Sequence, residues 1–206
     1  MKKTVIWDLD GTLLDSYPLI VASIHTMTQT FNTEYSPEFI HDAIIKDSVR
    51  SFIEFFSHEH GVDTAAIRKI MFEYSKENEH TIGLIDGAIH VLKTLNDRGY
   101  EHYVYTHNGL AAFDSLKRNG ILDLFIEVVT SDNKFQRKPH PEALDYLIDK
   151  YDLDRNHSYY VGDRILDVEC AKNAEIIAVY FTSMENAHKR ADITVSRLVD
   201  ILDYLN

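Results

Sequence analysis

The sequence predicts an α/β fold, a doubly wound parallel sheet that carries an inserted all-α helical unit, and three observations predict it. Over residues 82–206, short β-rich apolar runs alternate with helical periods, the pattern of βα units whose strands lie side by side in parallel. One further apolar run of the same kind, residues 4–7, stands alone near the start. Between them, residues 16–81 hold helical periods and no convincing strand. The expected division is a core of residues 1–15 and 82–206 and a separate helical unit of residues 16–81.

Taken in order, Thr4-Val5-Ile6-Trp7 reads as a buried strand that delivers the polar loop Asp8-Leu9-Asp10-Gly11-Thr12. The helical unit begins with Ser16 at an N-cap position and Pro18 in the first turn, and Ile20, Ile24, Met27 and Phe31 fall on one face. Ser36-Pro37 signals a second helix. Val49, Phe52, Ile53 and Phe56 stripe a third, and Ile67, Ile70, Met71 and Tyr74 a fourth behind an Asp63 cap. Phe52, Phe55 and Phe56 read as core of this bundle and not as a ligand platform. Beyond Gly83 and Gly87, a helix at 88–98 stops at Gly99, a strand follows at 102–105, and a helix at 110–119 stops at Gly120. Strands at 125–130, 159–161 and 176–181 then alternate with helices at 141–151 and 165–173. His140 reads as part of a helix cap and Cys170 as a small buried hydrophobe.

Composition excludes several classes of function. The 206 residues, 45% hydrophobic and 26% charged, have the balance of a soluble globular chain. With 21 basic residues against 33 acidic ones the formal charge is −12, so a face basic enough to track nucleic-acid phosphates is not expected. No stretch approaches the roughly 20 apolar residues of a membrane span. The opening Met1-Lys2-Lys3 imitates a signal peptide, but Asp8 and Asp10 cut the apolar run short. Cys170 is the single cysteine, so no intrachain disulfide forms and a cytoplasmic location is expected. Oligomeric state is not legible.

Separate points of the chain bring polar groups to the ends of expected strands: Asp8 and Asp10, Thr106 with His107 and Asn108, Lys138, and Asp163 with Asp167. Ligands of open α/β sheets bind beyond these carboxyl ends, where strand order reverses. The set resembles the haloacid dehalogenase superfamily, whose motifs match Asp8-Leu9-Asp10-Gly11-Thr12, Thr106, Lys138-Pro139 and Gly162-Asp163-Arg164-Ile165-Leu166-Asp167 in that order. The resemblance spans nearly the whole chain, and the helical insertion after the first motif is similar to the cap of the phosphoglycolate phosphatase and β-phosphoglucomutase branch. It implies a Rossmann-like core, a helical cap, and Mg2+-dependent hydrolysis of a small phosphorylated metabolite. The chain departs from the family pattern at Trp7, often phenylalanine, at His107, inserted into a Thr/Ser-Asn pair, and at Arg164, usually serine. Arg164 then pairs with a nearby carboxylate or forms a positive rim.

The chemistry has its own demands. A phosphate monoester is a dianion, and a carboxylate attacks it only where a cation neutralises the approach. By resemblance Asp8 is the nucleophile, Asp8 and Asp163 with the backbone carbonyl of Asp10 hold the metal, and an aspartyl-phosphate splits the reaction into two steps. Asp10 acts as general acid and then base, which requires an acid form near neutral pH that neighbouring negative charges favour. Thr106 donates its hydroxyl to a phosphoryl oxygen, joined by backbone amides around Leu9, Asp10 and His107, and the His107 side chain is a further candidate for substrate contact. Lys138 supplies positive charge. Gly11 permits the turn after the strand, Gly162 permits the close approach of Asp163 to the metal, and Asp167 orients Lys138 or metal-bound water. Asp15, Ser16 and Tyr17 are candidates for substrate contact where the insertion begins. The alternatives are a phosphomutase of the β-phosphoglucomutase type, a metal-free dehalogenase, which Asp10 argues against, and a non-catalytic phosphate sensor on the same fold.

Overall fold

The computed structural model describes residues 3–182 and 184–206; Met1 and Lys2 of the basic opening, and Ser183, lie outside the described residues. The chain forms two compact units, residues 1–15 with 84–206 and residues 16–83. It enters on β1 (Lys3–Trp7), whose Val5, Ile6 and Trp7 are fully buried, as a strand covered on both faces requires. Gly11 follows at φ +81°, and its N–H donates to the Leu14 carbonyl at 2.8 Å. That left-handed turn strains any residue with a Cβ, so the glycine is required there. The two-residue β2 (Leu14–Asp15) ends the segment.

The helical unit consists of α1 (Tyr17–Thr30), α2 (Pro37–Lys46), α3 (Val49–His60) and α4 (Thr64–Asn78). Ser36, Ser48 and Asp63 cap α2, α3 and α4, accepting from Phe39, Ser51 and Ala65 at 3.2, 3.0 and 3.0 Å. Ser16 occupies the N-cap position of α1 without capping it. Its backbone sits at φ −94°, ψ −18°, in the helical region and not the extended one from which a cap side chain reaches the first-turn amides. Ile24, Met27, Ile40, Ile44, Phe52, Ile53, Phe56 and Ile67 form the core, each aliphatic side chain contributing roughly 1.5–3 kcal/mol on burial. Phe55 departs from its expected place in that core. It lies at the edge of the α3 stripe, 45% exposed, with its ring edge-on to Phe52.

The α/β unit resumes with β3 (Gly83–Leu84), which pairs with β2, and continues through α5 (Ala88–Asp97), β4 (Tyr100–Tyr105), α6 (Ala111–Arg118), β5 (Glu127–Val129), α7 (Glu142–Tyr151), β6 (Ser158–Gly162), α8 (Ile165–Asn173), β7 (Ile177–Phe181) and β8 (Ile193–Val195). Six strands form one parallel sheet in the order β5-β4-β1-β6-β7-β8. The chain runs outward from β1 through β4 to β5 and then returns to β6 on the other side of β1. The switch point where ligands bind in such sheets therefore falls between β1 and β6.

The α/β elements follow the expected alternation, with differences at the margins. The strand expected at 125–130 keeps only Glu127–Val129. Leu122–Leu124 forms a 3-10 turn, and Thr130 turns aside to close a capping box with Asn133. β8 was not expected: it is three residues at the sheet edge, too short for its periodicity to register. The same brevity hid β2 and β3. His140 accepts from the Glu142 N–H at 3.3 Å at the start of α7, and Cys170 is fully buried, which pushes its thiol up to about 12.

A polar chain crosses the core beside β1. The Trp7 indole N–H donates to His102 Nδ1 at 3.1 Å, which leaves His102 Nε2 as the N–H that faces the Leu92 carbonyl of α5 at 3.1 Å. The Trp7 bond needs a neutral ring, because only then is Nδ1 an acceptor. Burial lowers its pKa to about 4, against a small upward pull from the Leu92 carbonyl. A depressed histidine pKa contributes stability above the unfolded value near 6.5, and that stability is lost as pH falls toward 4. Urea unfolding between pH 7.5 and 4.5 should lose on the order of 3 kcal/mol through this group, and His102→Gln should flatten the slope. An identical slope in the variant would refute the assignment.

Candidate active site

The loop after β1 places Asp8 at the switch point. Its N–H donates to the Val161 carbonyl of β6 at 2.8 Å, so the sheet ladder continues one residue beyond β1 and fixes the aspartate backbone. Its side chain is buried. Leu9 is buried as well, and its carbonyl accepts the amides of Leu13 and Leu14 at 3.0 and 2.9 Å, which folds the loop back on itself. Thr12, fully buried, donates its hydroxyl to Asp163 Oδ1 at 3.3 Å and so ties the first motif to the end of β6. Thr106, buried at the end of β4, donates its N–H to the Val129 carbonyl, and its hydroxyl oxygen accepts the Asn108 N–H at 3.0 Å.

Lys138 is the hub. Its side chain has no exposed surface, and its ammonium donates to Asp8 Oδ1 and, at 2.8 Å, to Asp167 Oδ1. Asp167, itself buried, also receives the Arg164 N–H at 3.1 Å and lies 3.3 Å from the Tyr160 hydroxyl, so both its oxygens are engaged. The His107 ring turns to the same lysine: its Nε2 accepts the Lys138 backbone N–H at 2.9 Å. That bond needs an unprotonated Nε2, and burial, followed by the charges of Lys138, Arg137 and Arg164, lowers the His107 pKa to about 2. Gly162 serves Asp167. A Cβ at Gly162 would fall within 2.7 Å of Asp167 Oδ2 and closer still to its Cβ and Cγ, so the glycine makes room for this carboxylate.

Among the described residues, Asp8, Asp163 and Asp167 gather carboxylate oxygens within 4.8 Å of one another. Burial pushes the Asp8 carboxyl up, toward about 8. Lys138 opposes that rise, while Asp167 and Asp163 add to it. Burial also works against the Lys138 ammonium, but Asp167 and Asp8 outweigh it and hold its pKa above the ordinary lysine range. Both pKa values therefore rise, that of Asp8 because burial outweighs the pull of Lys138 and that of Lys138 because its two carboxylate partners outweigh burial. Hard oxygen donors in surplus of local cations fit a divalent ion such as Mg2+.

The α/β unit thus joins Asp8, Asp167 and His107 by hydrogen bonds to Lys138 and sets the bonded Thr12–Asp163 pair beside them through the carboxylate cluster, with Thr106 and Asn108 at the neighbouring strand end. Asp10 forms an isolated bridge with Leu14, and its side chain is not part of the carboxylate cluster. The expected role through its backbone carbonyl does not need it there. Tyr105 and Tyr160 escaped sequence reasoning. Their rings face the Lys138 ammonium at 4.9 and 5.2 Å, and the one available signal was a tyrosine at an inward position of each buried strand.

A family model described as haloacid dehalogenase-like hydrolase matches residues 5–181. The chain belongs to that family of hydrolases. Pyrophosphatase PpaX of Bacillus mycoides (strain KBAB4) is 27% identical over 216 residues, covering 98% of this chain and 96% of that protein. A solved structure from Haemophilus somnus 129PT, described as a predicted phosphoglycolate phosphatase, superposes with a TM-score of 0.84 at 22% identity over 100% of this chain and 98% of that one. A hydrolase from Streptococcus pneumoniae TIGR4 is 28% identical with a TM-score of 0.69, covering 98% of this chain and 100% of that one. No helix among the described residues is long and apolar enough to cross a membrane.

Gly162→Ala tests how tightly Asp167 is held. The added methyl should displace the Asp167 carboxylate and loosen Lys138, with an expected loss of about 1–3 kcal/mol in denaturant unfolding. Asp167→Ala should cost more, about 3–5 kcal/mol, because it strips one partner from a buried ammonium. A Gly162→Ala protein as stable as wild type would show that the pocket yields.

Proposed function

We propose that the α/β unit hydrolyses small phosphomonoesters through an aspartyl-phosphate on Asp8, with Mg2+ as its metal. The observation that carries this reading is the setting of Asp8: a buried carboxylate at the sheet switch point, bonded to a buried lysine and grouped with two further carboxylates. An Asp8 oxygen attacks phosphorus, and Asp10 protonates the leaving oxygen. Asp10 then takes a proton from the water that opens the intermediate and releases inorganic phosphate. The Thr106 hydroxyl and the amides of Leu9 and Asp10 donate to the phosphoryl oxygens, and Lys138 brings fixed positive charge. His107 and Asn108 set the loop around them, and Asp167 positions Lys138. Asp8, Asp163 and the Asp10 carbonyl would hold the metal. Mg2+, when bound, supplies the charge that lets a carboxylate approach a phosphate dianion.

The helical unit, inserted between the first motif and the rest of the α/β unit, serves in this reading as the cap that chooses the substrate. Phosphoglycolate leads by resemblance, supported by the name of the Haemophilus structure. The Bacillus relatives, matched along nearly their whole length and named pyrophosphatase, favour pyrophosphate as the second candidate. A small soluble metabolite as substrate accords with a cytoplasmic location.

The test is phosphate release from phosphoglycolate, pyrophosphate, sugar phosphates and nucleoside monophosphates, with Mg2+ and with chelator. Asp8→Asn and Asp10→Asn should each lower turnover by at least about a thousandfold, as the loss of a nucleophile or an essential acid does. Chelator should abolish it. Turnover that survives in Asp8→Asn removes the covalent step, and transfer of the phosphoryl group to a second sugar hydroxyl, in place of release, makes the protein a mutase.

A further inference from the structure

The two tyrosines beside Lys138 are built into the site more firmly than core packing demands. Each of its carboxylate partners satisfies the ammonium from one direction, while the Tyr105 ring centroid lies 4.9 Å from Nζ and that of Tyr160 5.2 Å, with the two rings near-parallel at 27°. Both are buried, Tyr105 to 3% and Tyr160 to 1% exposure. Both are also tethered. The Tyr105 hydroxyl donates to the Gln136 carbonyl at 3.2 Å, two residues before Lys138, and so fixes the segment that carries the lysine. The Tyr160 hydroxyl lies 3.2 Å from the Tyr105 carbonyl and 3.3 Å from Asp167 Oδ1, and so links the second ring to the first strand and to the carboxylate that grips the ammonium.

We propose that Tyr105 and Tyr160 are positioning residues that form an aromatic cradle for Lys138, fixing the direction of its ammonium toward Asp8 and the phosphoryl group that Asp8 receives. The physical reason lies in what the rings are not. A water or carbonyl in their place would compete for the ammonium hydrogens, whereas a ring face attracts the cation without claiming a hydrogen in one fixed direction. The cradle keeps the lysine dry, and charge in a dry site acts more strongly on a phosphoryl group than it does through water. The part played in turnover rests on the phosphatase reading; the geometry of the cradle does not.

The experiment compares wild type with Tyr105→Phe, Tyr105→Leu, Tyr160→Phe and Tyr160→Leu, each checked for cooperative unfolding. One readout is the Lys138 ε-CH2 resonance in protein labelled with 13C-lysine and assigned through its backbone. The two ring faces over it should shift it upfield in wild type and in both phenylalanine variants, and each leucine variant should move it back toward the ordinary lysine position. The other readout is steady-state phosphate release. Each leucine variant should lower kcat about thirtyfold, the size of one desolvated cation–π contact, with KM unchanged, and each phenylalanine variant should stay within about threefold of wild type. An unshifted wild-type resonance, or leucine and phenylalanine variants with equal kcat, overturns the cradle. If wild type releases phosphate from no substrate, the phosphatase reading falls instead, and the resonance alone then decides whether the rings hold the lysine.

Discussion

An ammonium without exposed surface survives only where other groups replace the water it has lost. Lys138 meets that constraint with two carboxylates, two aromatic faces and a histidine that holds its backbone. Much of the α/β unit is arranged to bring those groups together. The end of β1 supplies Asp8, β4 and the residues after it supply Tyr105 and His107, β6 supplies Tyr160, and the first turn of α8 supplies Asp167. Removing one partner from such a pair leaves a buried charge uncompensated, which is why breaking it is so much more costly than never having built it.

The same network explains why the site is electrostatically unfinished. Three carboxylates converge where one ammonium is fixed, so the cluster keeps negative charge to spare. Burial makes that surplus strongly felt, and together with Asp167 and Asp163 it raises the pKa of Asp8. In a chain whose formal charge is −12, a dianionic substrate would be repelled without local cations. Lys138 supplies one, and the oxygen donors are suited to binding another. The acidity of the chain and the proposed handling of phosphate are compatible because the needed charge is local.

Small residues and turns decide whether this arrangement fits. Gly11 gives the left-handed turn after Asp8, and Gly162 leaves space that the Asp167 carboxylate fills. Thr12 bonds Asp163 across from the first loop. None of these groups carries out chemistry, yet each determines where a chemical group can stand. The Trp7–His102 pair does the same from within the core, Trp7 being the residue that precedes Asp8.

Sequence by itself determined the α/β alternation, the helical insertion and the acidic and basic residues at the strand ends. Periodicity and the run Asp8-Leu9-Asp10-Gly11-Thr12 are local properties that survive without a third dimension. It missed β8, β2 and β3 because two or three residues carry no period, and it misplaced Phe55, on the rim of an otherwise buried stripe. Tertiary structure alone decided that Gly162 makes room for Asp167, that His107 turns toward the Lys138 backbone, and that Tyr105 and Tyr160 turn their rings to the ammonium. These are contacts between residues 5 to 55 positions apart, from Gly162 and Asp167 to Tyr105 and Tyr160. They exist only after parallel strands have set their register, and no local pattern encodes a distance that the sheet itself creates.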